Sequence, residues 1–262
     1  MARRIGERSR IRERARQEVL IVRLAARYDR AMRQEIGQTM RKAASLLASQ
    51  GESAASEVMP QHRRDVERIW TAGAVAGTEL LARRSLDAAH DTEKLLHPWA
   101  WYRKDDSDDW RRVQERVAAY IAKWGAQKVT DITSTTEQQI RDILIRARDD
   151  GLGIDAAARA LREQTSITAA LRAHVIARTE THAAANYGAM AGAIESGVIM
   201  RREWIAVQDD RSREAHAEAD GQTVAMDEPF DVGGEALMYP GDPAGSPENV
   251  IMCRCAVGMV VA

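Results

Sequence analysis

Large aromatic side chains are scarce in this chain of 262 residues: there is one Phe, with six Trp and five Tyr. With 29% of residues charged, that composition favours helices over a sandwich or barrel core. No apolar run approaches the roughly 18 residues needed to span a bilayer. The opening Met1-Ala2-Arg3-Arg4-Ile5-Gly6 is basic but has no apolar stretch behind it, so no secretory signal is expected. Cysteine is confined to Cys253 and Cys255, which are too close in sequence for an unstrained mutual disulfide. Reduced thiols in a cytoplasmic setting are the simplest expectation. Proline is withheld from most of the chain, with five of the six at or after Pro98. Internal repeats and low-complexity tracts are also lacking.

What is present divides the chain. The formal charge of −1 hides an asymmetry. Up to Arg64 there are 15 basic and 7 acidic residues, and from Glu203 onward 3 basic and 12 acidic. The two ends are therefore expected to meet different neighbours. Residues 7–49 contain no Pro and one Gly, and Ile11, Ala15, Val22, Ala25, Met32, Ile36, Ala43 and Leu46 step by three and four. That spacing predicts a helix about 65 Å long, which must pack on a partner or extend as an arm. Gly51 and Pro60 predict a turn before a second helix over 61–90, in which Gly73 and Gly77 allow close backbone approach. Trp99, Trp101 and Tyr102 suggest a local aromatic core. A third helix follows Asp108 and Asp109, with Trp110, Val113, Val117, Ile121 and Trp124 on its buried face. Ser134 and Glu137 have capping-box spacing for a new helix start, and Gly151 is a natural stop.

A short helix over 155–164 is then expected to lead into one over 168–196, ended by Gly197. On the latter, Ile176, Glu180, Ala183, Tyr187, Met190 and Ile194 share a face. Glu180 is thus expected to be buried and, being charged, paired with Arg254, Arg211 or Arg213. After Gly197 the period changes, and 203–207 and 255–261 read as strands. The fold class is mainly α, with long N-terminal helices and a smaller C-terminal α+β domain whose short strands follow residue 200. A helical arm or bundle region over 1–150 and a second domain over 151–262 are the expected divisions.

The chemically dense segment is the last sixty residues. On a strand, Cys253 and Cys255 would point to the same side, and with His216 they offer the soft and borderline ligands that Zn²⁺ prefers. His182, Asp209 or Asp220 could be the fourth ligand. The competing reading is two buried apolar cysteines. His216 with Asp209, Asp210 and Asp220 could instead act as general base in a metal-dependent nuclease, although no nucleophile or phosphate loop accompanies it. The alternative there is a polar turn held by salt bridges and Asx bonds. Tyr239-Pro240-Gly241-Asp242-Pro243 forms a rigid double turn. Seven arginines lie in the first sixteen residues. Arg3, Arg4, Arg8, Arg10 and Arg12 are candidates for nucleic-acid phosphate contact, or for a solvated helix face offset by Glu7, Glu13 and Glu18.

The run Ile176-Ala177-Arg178-Thr179-Glu180-Thr181 with Asn186 resembles the opening signature of the phage Mu F-like minor head proteins, also called the phage head morphogenesis family. The likeness continues in order through Trp204, Asp209, Arg213, His216, Asp220-Gly221, Phe230, Pro240-Gly241-Asp242-Pro243, Asn249 and Cys253-Arg254-Cys255. It covers roughly residue 150 to the end. The resemblance implies a minor capsid protein of a tailed phage or prophage, located in the capsid interior or at the portal vertex after assembly in the host cytoplasm. Expected partners are the portal protein, with capsid or scaffold proteins and packaged DNA as further candidates. It implies no enzymatic activity, a structural role for the motif residues, and a Cys/His arrangement like a metal site. Some members carry a toxin domain; none is expected in the residues after the cysteine triplet.

Overall fold

The computed structural model describes residues 7–50, 53–96, 106–151 and 154–261. The aromatic group at Trp99, Trp101 and Tyr102 lies outside them. Four long helices come first: α1 (Glu7–Gln50), α2 (Ala54–Leu96), α3 (Asp106–Asp149) and α4 (Ile154–Glu195). A short-element region follows, comprising β1 (Met200–Ile205), α5 (Glu214–Glu218), β2 (Thr223–Ala225), β3 (Phe230–Val232), β4 (Glu235–Leu237), α6 (Pro247–Val250) and β5 (Ala256–Val261). The fold is mainly helical with a small C-terminal α+β region, as the change of period predicts.

Three helix boundaries differ from the sequence expectation. Helix α2 starts at Ala54 and carries Pro60 inside it. Losing the single hydrogen bond that the Pro60 nitrogen cannot make is outweighed by the buried Ala54, Ala55 and Val58 on the turns before it. Ser134 does not cap a helix; it sits within α3, and its hydroxyl donates to the Asp131 carbonyl 3.3 Å away. The expected break in the next helix is also missing, because α4 is one element of 42 residues. Its end is as read: Gly197 adopts φ +68°, the left-handed conformation that stops a helix.

Each long helix contributes to two compact units. The first, Ala25–Gly73 with Ala122–Ala177, is a four-helix bundle. Its core is apolar and periodic, with Met32, Ile36 and Met40 from α1, Val66 and Trp70 from α2, Val129 and Ile140 from α3, and Leu161 from α4. Trp70 lies over Gly125, where a Cβ would stand 3.1 Å from the indole. A polar trio lies in this interior, with His62 Nδ1 3.0 Å from both Glu35 Oε1 and Thr39 Oγ1, and the buried Thr133, Thr136 and Thr165 each donate back to their own helix. The α1 stripe holds from Ala25 to Ala43; beyond it Leu46 is half-buried and Leu47 takes the buried position. Nearer the N-terminus its phase is shifted by one, with Ile21 buried and Val22 exposed.

The second unit joins the described parts of Met1–Leu24, Ala74–Ile121 and Arg178–Ala262. Here α4 is central, and nearly every residue of 177–193 is buried. Small side chains permit this. A Cβ on Gly188 or Gly192 would collide with the backbone of Thr78 or Ala82 on α2. Because the burial is all-round, the single stripe read from the sequence does not define its buried face. Glu180 is only half-buried. The arginines expected to meet it are engaged elsewhere: Arg254 and Arg211 with Asp209, and Arg213 with the Ile251 carbonyl. The fully packed charge on this helix is instead Arg178, 7% exposed and 2.5 Å from Glu18.

β1 is the central strand of an antiparallel sheet ordered β2-β1-β5, and β3 pairs with β4. In the register, Trp204 faces Val257 and Arg202 faces both Val224 and Met259. The β3–β4 hairpin turns through Gly233 and Gly234 at φ +63° and +84°, the two positive dihedrals of a type I′ turn. Trp204, Phe230, Val232, Leu237 and Val257 build the core of this region.

Candidate metal centre

His216 is carried by the single turn of α5, and Asn249 by α6. Cys253 and Cys255 flank Arg254 just before β5. The α5 turn begins where Arg213 accepts the His216 and Ala217 amides on its carbonyl. It closes when Gly221, at φ +78°, lets its N–H donate to the Trp204 carbonyl at 2.8 Å. These local bonds fold the polar segment back onto β1 and deliver the His216 ring to the cysteines.

His216 Nδ1 lies 3.3 Å from Cys255 Sγ and 3.7 Å from Cys253 Sγ. The three ligand atoms lie within 4.8 Å of one another, and all three residues are buried. A tetrahedral zinc ion with ligand bonds of 2.0–2.3 Å requires ligand separations of roughly 3.6 Å, so the spacing fits. On the other side of the ring, Nε2 is 3.2 Å from Asn249 Oδ1, and Asn249 Nδ2 donates to the Val232 carbonyl at 3.2 Å. That second bond fixes the amide so that its oxygen accepts from His216 Nε2–H. The Nδ1 lone pair then faces the two sulfurs, the outer-shell arrangement that orients a metal-binding imidazole. Trp204 meets the His216 ring edge-on at 5.6 Å and Phe230 packs on Trp204 at 5.4 Å, walling off water.

The sulfurs are not equivalent. The thiol hydrogen bond from Cys255 holds Cys253 below its ordinary range, against the opposing effect of burial. The same bond, with burial, pushes Cys255 well up. A dication binding there would displace the thiol protons, because the thiolate is the form that binds metal.

The other proposed ligands lie outside this three-membered group. Asp209 takes a bidentate pair from Arg254 at 2.6 and 2.7 Å, which holds its carboxyl well below the usual range. Asp220 accepts the Ala206 amide at 2.8 Å and the Gln208 side chain at 3.0 Å. His182 is buried on α4 with Nε2 3.1 Å from Asn186 Nδ2 and Nδ1 without a hydrogen-bond partner. Burial, followed by the Arg178 charge, lowers its pKa to about 3.

The remaining motif residues tie backbone to backbone. Asn186 Oδ1 accepts the Val257 amide at 2.9 Å, binding α4 to β5. Thr179 accepts the Met252 amide at 3.1 Å, steadying a residue held at φ +57°. Arg213 donates to the Ile251 carbonyl at 2.5 Å. Asp242 accepts the Met238 and Ala244 amides at 2.9 and 3.0 Å, which closes the Pro240–Pro243 turn. Of the groups in the nuclease reading, Asp209 and Asp220 are engaged by Arg254, Arg10 and Gln208, and His216 is 2% exposed.

Of the arginines read as phosphate contacts, Arg3 and Arg4 lie outside the described residues, as does the Arg8 side chain. Arg12 is exposed. Arg10 is corrected: it pairs with Glu203 at 3.0 Å and Asp220 at 3.1 Å, within the fold. One functional residue escaped the sequence reading. Arg202 is fully buried, and its guanidinium donates to the carbonyls of Ala225, Met238 and Glu228. The signal was present, since Arg202 alternates with Met200 and Trp204 on one face of β1.

Residues 138–258 match the family model for Phage Mu protein F like protein. These residues belong to the phage Mu F-like family. The motif residues of the Mu F-like region are thus the ones that hold its turns and the His216–Cys253–Cys255 cluster together. An uncharacterized protein YqbB of Bacillus subtilis (strain 168) is 25% identical over 153 residues, covering 57% of this chain and 50% of that protein. NAD(+)--arginine ADP-ribosyltransferase EFV of Enterococcus faecalis (strain ATCC 700802 / V583) is 32% identical over 129 residues, covering 47% of this chain and 26% of that protein. The chain therefore spans half the length of the first relative and about a quarter of the second. No solved structure matches the chain. The match over 138–258 points to phage head morphogenesis. Among the described residues no helix is long and apolar enough to cross a membrane.

Proposed function

We propose that the chain is a structural minor head protein that joins the portal vertex during head assembly, DNA packaging or delivery. Its site of action is then the virion, reached from the host cytoplasm. The family match over 138–258 carries this reading. The chemistry of the region supports it: Thr179, Asn186, Arg213, Asp220 and Asp242 are spent on backbone carbonyls and amides. Co-expression with the portal protein of the same phage genome tests it. The two should co-purify through gel filtration. Absence of binding to portal monomer, ring and assembled procapsid, together with metal-dependent DNA cleavage lost in His216→Ala, would replace the reading with a nuclease.

The same reading includes a structural zinc ion on His216, Cys253 and Cys255. Such an ion would tie the chain beyond α6 to the α5 turn, a common remedy for a small, turn-rich region. Three protein ligands are one fewer than a closed structural site uses, so metal content decides the matter. Protein purified without chelator should carry about one zinc per chain. Less than about 0.2 per chain, with both native thiols titrating freely, would leave Cys253 and Cys255 as ordinary core residues.

A further inference from the structure

Within the bundle unit, a groove of about 630 Å³ runs between α1 and the first half of α4. Its α1 wall carries Arg30, Arg33 and Arg41; its α4 wall is Thr165, Ala169 and Ala170, small and uncharged. We propose that this groove binds the phosphodiester backbone of nucleic acid without reading its sequence.

The charge of the groove is one-sided. Among the described residues Asp29 is the single carboxylate lining it, and it is already paired with Arg33 at 2.9 Å. Arg30 and Arg41 have no ion pair or hydrogen bond among the described residues. Arg41 does not reach away from the helix. Its guanidinium lies across Gly37, 3.1 Å from where a Cβ would stand, so the glycine makes room for it along the groove. Arg30 and Arg41 are about 16 Å apart along the helix axis, with Arg33 between them, so the cations form a row. A row of guanidinium forks beside a shallow, uncharged wall suits an extended ligand with regularly repeated oxyanions. An acidic peptide would bring side chains that need pockets, and the alanine wall offers none.

The site stands on the geometry of this unit alone and does not depend on the portal assignment. It also moves the nucleic-acid contact away from the first sixteen residues, where Arg10 is consumed by Glu203 and Asp220.

The test uses the full chain and fluorescein-labelled 30-mers, single-stranded and duplex, with titrations across a range of salt. The variant Arg30→Gln/Arg33→Gln/Arg41→Gln should lose at least about tenfold in affinity for both 30-mers, and the slope of log K against log salt should flatten by about 2–3. The matched control Arg63→Gln/Lys123→Gln/Arg146→Gln removes equal charge from exposed positions elsewhere in the unit and should stay within about twofold of the parent. An unchanged slope in the groove variant, or an equal loss in the control, overturns the proposal. Competition by poly-glutamate at equal charge concentration would also overturn it, in favour of an acidic protein partner. All six positions are on the surface, and circular dichroism checks that both variants remain folded.

Discussion

The four-helix bundle and the second unit, called the cap, bury the faces of the same four long helices by different means. In the bundle, periodic apolar side chains do most of the work, with the His62–Glu35–Thr39 trio and the buried Thr133, Thr136 and Thr165 as polar exceptions. In the cap, short strands supply little apolar area, and single polar side chains hold backbone in place: Asp220 on Ala206, Asp242 on Met238 and Ala244, Asn186 on Val257, Arg202 on three carbonyls. The lesson concerns substitutability. An apolar core tolerates a swap of similar volume, whereas removing one side of a buried polar contact strands its partners.

The sharpest way to break that comparison is Arg202→Met. The guanidinium satisfies three carbonyls, so its loss should cost on the order of 4 kcal/mol in urea unfolding. A conservative bundle change, Ile36→Val, should cost only about 1 kcal/mol. If the two variants unfold at similar urea concentrations, the contrast fails. Next comes Gly188→Ala, a single added methyl in the cap against the Thr78 backbone. It should cost about 3 kcal/mol because neither helix backbone can retreat, and a melting temperature within two degrees of the parent would show that α2 and α4 can part.

A smaller effect separates the regions by pH. His182 titrates near 3 in the folded cap against 6.5 when unfolded. The unfolded chain therefore binds this proton first, and the associated stability, present above pH 6.5, is lost as pH falls toward 3. Between pH 7 and 4.5 the parent should lose about 2–3 kcal/mol more than His182→Gln. Equal losses by denaturant titration at the two pH values would show that His182 does not titrate as a buried group. Smallest of all is the exposed Arg111–Glu115 pair at 2.6 Å on α3. Arg111→Ala should change stability by about 0.5 kcal/mol or less, and a loss above 2 kcal/mol would show that surface charge holds this helix as firmly as buried charge holds the cap.

The long helices were legible because apolar spacing is a local property. Residues Ala25, Met32, Ile36 and Ala43 show it, and all four are buried. The motif order marked the residues of the cap, and C-x-C with an upstream His marked the metal candidate. Gly233-Gly234 also announced a hairpin that the reading passed over.

Sequence alone determined the helical class, the change of architecture after Gly197 and the identity of the residues that matter in the cap, because periodicity, left-handed glycine and side-chain chemistry are written residue by residue. Only the tertiary structure decided their partners. Glu180 was assigned to arginines that hold Asp209 and Ile251. Arg10 was read as a phosphate contact or part of a solvated face and lies on Glu203 and Asp220. Arg202, which the sequence reading did not single out, is fully buried on the carbonyls of Ala225, Met238 and Glu228. A partner some two hundred residues away leaves no mark in the local pattern, since which opposite charge is nearest depends on how the helices and turns pack in space.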